Sequence, residues 1–126
     1  MIAVLVAIGG GLGAVLRYWI GTAVQAGVGR GGFPWGTLVV NVAGCLAVGV
    51  VSALAERRGG LTAETRAFLV VGVLGGFTTF SAFANETMYA VRSGATPMAL
   101  LNVLSSVGLC LTAVWGGRGL VAWWAR

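Results

Sequence analysis

The sequence predicts an all-α integral membrane fold of four transmembrane helices, the third broken near its middle. Three observations predict it. Of 126 residues, 58% are apolar and 9% charged, whereas a soluble domain carries roughly 25% charged residues. The apolar residues fall into four runs, each near the ~20 residues that cross a bilayer. The third run holds Gly75-Gly76-Phe77-Thr78-Thr79-Phe80-Ser81-Ala82-Phe83 at its centre, poor material for an ordinary membrane helix.

The first span covers residues 2–24 and is interrupted by Arg17. It lacks a basic leading segment and a convincing cleavage site, so it is expected to stay rather than be removed as a signal peptide. The second covers residues 33–55 and is closed by Glu56-Arg57-Arg58. The third covers 67–91, and Glu86 is its only charged group between Arg66 and Arg92. The fourth covers 97–117 and stops before Arg118. Short connections leave room for one domain only, residues 1–126. Backbone freed from helical bonding at membrane depth survives where it lines a cavity or is buried in protein. Transport proteins place ion sites at such breaks, so ion passage is the first functional expectation.

All eight basic residues are arginines, and none clusters beyond Arg57-Arg58. The net charge of +5 therefore marks span ends rather than a nucleic-acid surface. With the N-terminus inside, Arg57, Arg58, Arg66, Arg118 and Arg126 face Arg30 and Arg92, with Arg17 nearer the outer end. That bias is weak under the positive-inside rule, and such a chain can insert both ways round. The expected location is the cell's inner or plasma membrane, in a multi-pass arrangement. There is no histidine, and Cys45 and Cys110 share no metal-ligand spacing. Zinc chemistry and histidine-based triads are excluded, enzymatic function has no support, and the cysteines read as small packing residues.

Individual residues sharpen the picture. Gly9, Gly11 and Ala14 match a dinucleotide fingerprint in spacing, but no strand precedes them. Gly9/Gly13, Gly10/Ala14 and Gly72/Gly76 instead suit close helix packing. Arg17, beside Tyr18 and Trp19, reads either as a snorkelling arginine or as the charge of a wet vestibule. Thr37 and Asn41 share a helix face, and Asn41 is a candidate interhelical bond or an ion donor. Asn102, Ser106 and Cys110 recur every four residues as a polar stripe. Glu86 is the one acid inside a span, either hydrogen-bonded structurally or part of a path. Phe80 and Phe83 share a face beside the break, where electropositive ring edges can attract an anion without binding it too tightly to leave.

Over nearly its whole length the chain resembles the Fluc (CrcB-like) family of fluoride channels. The resemblance rests on Gly10 to Tyr18, on Gly36-Thr37-Leu38-Val39-Val40-Asn41-Val42-Ala43-Gly44, and on Gly75 to Phe83. It implies a four-helix subunit that dimerises antiparallel with dual topology, passive fluoride export, and a central structural sodium ion on backbone carbonyls. Carried over by residue, the sodium carbonyls fall at Gly75 and Thr78. The path falls at Asn41, Phe80 and Phe83, with Thr37, Asn102 and Ser106 as polar contacts. The partner is a second copy or an oppositely inserted sister chain. Ala82, Ala84 and Cys110 depart from the polar residues the family favours. The alternative is a small four-helix, dual-topology multidrug or cation exporter; its acid belongs in the first span, where this chain has Arg17.

Overall fold

The computed structural model describes residues 1–28, 31–57 and 59–125. Arg30, Arg58 and Arg126, three arginines in the charge count above, lie outside the described residues. Among the described residues there are four helical spans: Ile2–Val28, Trp35–Arg57, Ala63–Arg92 and Thr96–Trp124. All four are long and apolar enough to cross a membrane, and the chain is a multi-pass membrane protein.

The span ends follow from local chemistry. Pro34 precedes the second span, and its carbonyl accepts from the Leu38 N–H at 3.1 Å. A proline there loses no helical bond, because first-turn N–H groups have no partner. The third span begins at Ala63, four residues before the expected start at 67, because Thr62 caps it. The Thr62 hydroxyl accepts the Thr65 N–H at 3.2 Å, satisfying one orphan donor. Gly94, at φ 80°, turns the chain between the third and fourth spans in a conformation that side chains disfavour.

The fourth span runs on through Arg118 to Trp124, beyond the expected end at residue 117. Arg118 does not stop it because its guanidinium meets the Glu56 carboxylate twice, at 3.0 and 2.7 Å. A paired arginine is an ordinary helix former. Trp115, Trp123 and Trp124 lie exposed along this end, in the manner of an interfacial aromatic belt.

Glycine contacts set the packing. A Cβ on Gly9 would lie 2.5 Å from the Phe68 carbonyl oxygen and 3.0 Å from Gly72 Cα. Gly13 presses likewise on Val73, and Gly76 on Gly10, which joins the first span to the third. Gly49 against Val114 and Gly117 against Leu46 join the second span to the fourth. Lipid tails are as apolar as leucine, so this close contact, not burial from water, drives association. Between the two pairs lies a small core that includes Leu38, Val40, Phe77 and Phe83.

The third span is irregular as expected, and in two ways. Arg66–Leu74 is wound as a π-helix, with the Gly75 N–H reaching back five residues to the Val70 carbonyl. Then Thr78 (φ −82°, ψ 157°) and Thr79 (φ −150°, ψ 112°) are extended. Helix resumes at Phe80–Arg92.

Candidate functional site

The break is held open by one side chain from the second span. The Thr79 N–H donates to Asn41 Oδ1 at 2.8 Å, and Asn41 Nδ2 donates to the Thr79 carbonyl at 3.0 Å. In a continuous helix the Thr79 N–H would go to the Gly75 carbonyl, four residues back. Asn41 takes that donor, so the Gly75 carbonyl is released from the ladder. The Thr78 N–H and hydroxyl both return to the Leu74 carbonyl at 3.0 Å, ending the first half. The Thr79 hydroxyl caps the second half by accepting the Ala82 N–H at 3.2 Å, as N-cap threonines do. Gly75 is exposed on the single chain, whereas Thr79 is buried.

A cavity of about 410 Å³ opens beside the break. Asn41, Phe80, Phe83 and Ser106 line it together with Cys45 and Cys110. The rings of Phe80 and Phe83 lie 5.3 Å apart, tilted by 50°. Phe83 is buried while Phe80 is 79% exposed, so one ring is fixed and the other faces outward. Asn41 has two amide hydrogens. One holds the Thr79 carbonyl, and the second has no acceptor among the described residues.

Thr37 is elsewhere. Its hydroxyl donates to Glu86 Oε1 at 2.6 Å, in a second cavity of about 440 Å³ that Arg17 also lines. Among the described residues Arg17 makes no ion pair; it is half-buried and faces this space with Tyr18 and Gln25. Glu86 Oε2 is buried without a hydrogen-bond partner, so the acid is bound structurally through one oxygen and not through the other. Thr79 lines both cavities, and the break is thus the partition between them.

Asn102 sits in neither. It is buried, and its Nδ2 donates to the Thr87 hydroxyl at 2.9 Å while its Oδ1 accepts from Ser106 at 3.3 Å. It lines a third cavity of about 390 Å³, which shares Glu86 with the second. The expected site residues therefore fall into two linked groups. Asn41, Phe80, Phe83 and Ser106 meet at the break. Arg17, Thr37 and Glu86 form a charged cavity behind it, and Asn102 ties the fourth span to the third.

Sequence reasoning missed two features. It allowed Asn41 an interhelical bond, which the structure shows, but could not name the partner, because Thr79 lies 38 residues away and its backbone carries no sequence signal. It read Cys45 and Cys110 as separate packing residues, although Asn41/Cys45 and Ser106/Cys110 repeat the same four-residue step on facing spans.

Among the described residues no group of three His, Cys, Asp or Glu could hold a metal ion. A cation at the break would therefore rest on backbone oxygen, which suits hard ions.

Comparison with known proteins agrees with this architecture. The family model described as "CrcB-like protein, Camphor Resistance (CrcB)" matches residues 4–118. A fluoride-specific ion channel FluC of Paramagnetospirillum magneticum is 47% identical over 116 residues, covering 90% of each chain. The FluC of Solibacter usitatus is 50% identical over 113 residues, covering 90% of this chain and 92% of its own. That of Rhizobium etli is 42% identical over 119 residues, covering 94% of both. Spans, break and relatives converge, and the chain belongs to the CrcB-like family.

Proposed function

We propose that this protein is a fluoride-selective channel that lets the anion leave the cell passively, with no covalent chemistry. The observation that carries the reading is the cavity at the break, which Asn41 lines together with the phenylalanine pair, whose rings lie 5.3 Å apart. Fluoride is small and strongly hydrated, so a selective path must replace its water with well-placed donors. Neutral donors and ring edges do this without the fixed cation that would trap the ion. Arg17, in the adjoining cavity, draws anions toward the break by its field. Ser106 offers a further hydroxyl, and Thr37 and Glu86 shape the wall of the second cavity. Fluoride enters acidified cells as the neutral acid and dissociates inside, so a passive leak for the anion lowers its level.

The functional unit on this reading is an antiparallel dimer in the inner or plasma membrane. The outward face of Phe80 and the exposed Gly75 support it, since both suit cover by a second copy. The weak arginine asymmetry supports insertion in both directions. A sister chain of opposite orientation would serve equally. The carbonyls of Gly75 and Thr78 from two copies would then hold a sodium ion on the axis. When bound, the ion offsets the converging carbonyl dipoles and joins the two breaks. The Gly75 carbonyl fits this role because Asn41 has taken its helical donor.

The test is efflux from proteoliposomes, followed with fluoride- and chloride-selective electrodes in the absence of ATP and of a proton gradient. Fluoride is expected to leave and chloride to stay. Equal efflux of the two anions, or fluoride movement only with a proton gradient, overturns the reading.

A further inference from the structure

We propose that Cys45 and Cys110 together form a site for a soft, two-coordinate d10 metal cation in the wall of the cavity at the break, and that filling it closes the path. The closing of the path rests on the fluoride reading above; the metal site does not.

The geometry begins with the register of two spans. Gly49 of the second span packs on the carbonyl of Val114 in the fourth. Cys45 lies one helical turn before Gly49, and Cys110 one turn before Val114. Both spans run past this contact in the same direction, because Gly49 meets Val114 and Glu56 meets Arg118 further along. The two cysteines therefore stand at matching heights on adjacent helices. Both are free thiols, both are half-buried, and both line the same cavity.

The chemistry selects the ligand. Thiolates prefer soft ions, and two thiols on neighbouring helices suit linear coordination. Binding of a divalent ion such as Hg²⁺ forms two metal–sulfur bonds, breaks two S–H bonds and releases both protons to water. No electrons are transferred. The product, a mercury dithiolate, is neutral, which matters because an uncompensated charge is costly in an apolar cavity. A hard cation finds no such match, and a lone cysteine would leave the metal with a charge and an open position. The bound metal would stand among Phe80, Phe83 and Ser106, where it fills the space an anion must use.

The experiment uses the purified full chain and Hg²⁺ as the probe. In detergent, free thiols are titrated as Hg²⁺ is added, and mercury–sulfur absorption is followed in the ultraviolet. Both thiols are expected to disappear together at one metal per chain, and a dithiol chelator should restore them where a monothiol does not. Cys45→Ser and Cys110→Ser are each expected to weaken binding by about a hundredfold or more, since the second thiol otherwise acts at high effective concentration. In proteoliposomes, Hg²⁺ should stop fluoride efflux from the parent chain, and each variant is compared with its own metal-free rate. Thiols lost one at a time at two metals per chain overturn the site, and this result needs no folded variant. Equal block in the parent and in the double serine variant overturns the closure. A parent that never conducts fluoride overturns the reading of function and the closure with it, while thiol stoichiometry still decides the metal site.

Discussion

Asn41→Asp is the most searching change in this protein, because it keeps shape and alters only hydrogen bonding and charge. The structure shows what is lost. Asparagine holds Thr79 by one accepted and one donated bond, at 2.8 and 3.0 Å. Aspartate retains the first and forfeits the second, leaving the buried Thr79 carbonyl facing a carboxylate oxygen. An orphaned buried polar group costs about 1–3 kcal/mol, which loosens the break. The second effect is larger. A carboxylate about 4 Å from a passing anion repels it by about 4 kcal/mol at the effective dielectric of a protein surface, and about 1.4 kcal/mol is a factor of ten in rate. Fluoride efflux is therefore expected to fall by about a thousandfold. The assay is electrode-monitored efflux from vesicles, with size-exclusion chromatography to confirm assembly. A variant that assembles and conducts within a few-fold of the parent would refute the placing of Asn41 on the path.

Other expectations follow from the same geometry. Phe80→Ile and Phe83→Ile retain bulk but remove the ring edges, so efflux should collapse while the dimer, measured by cross-linking, persists. Gly13→Val puts a side chain into the Val73 carbonyl, and overpacking of this kind costs about 1–3 kcal/mol or more; folded yield in detergent should drop sharply, whereas Gly11→Val, in open space, should be tolerated. Reporters fused to the C-terminus should reveal both orientations in cells, and moving two or three arginines between loops should shift their ratio. If a sodium ion joins two copies as proposed, its exhaustive removal weakens their association in size-exclusion chromatography, and because carbonyl ligands have no proton to lose, the effect varies little with pH.

Much of the fold was legible because membrane spans declare themselves by length and apolarity. The break was legible too, since Gly-Gly-Phe-Thr-Thr cannot pass for an apolar helix interior, and the extended residues are the two threonines. Glycine packing was readable at Gly9, Gly13, Gly72 and Gly76 from their spacing. What the sequence hid were pairings across long separations. Arg118 looked like the end of the fourth span because its counter-charge, Glu56, lies 62 residues earlier. Asn41 was legible as an interhelical bond or an ion donor, but its partner was hidden because it is a backbone peptide. Thr37 was legible as sharing a face with Asn41 and as a polar contact of the path, but its partner, Glu86, lies 49 residues away. The π-helical winding of Arg66–Leu74, just before the break, had no signal in residue type.

The central claim is passive, fluoride-selective conduction through the cavity at the break. It is tested most directly by the reversal potential of the reconstituted protein under bi-ionic conditions, fluoride on one side and chloride on the other. The potential should follow the fluoride gradient and ignore changes in chloride or in pH difference. A reversal potential that tracks chloride, or one that moves with the proton gradient, would contradict it.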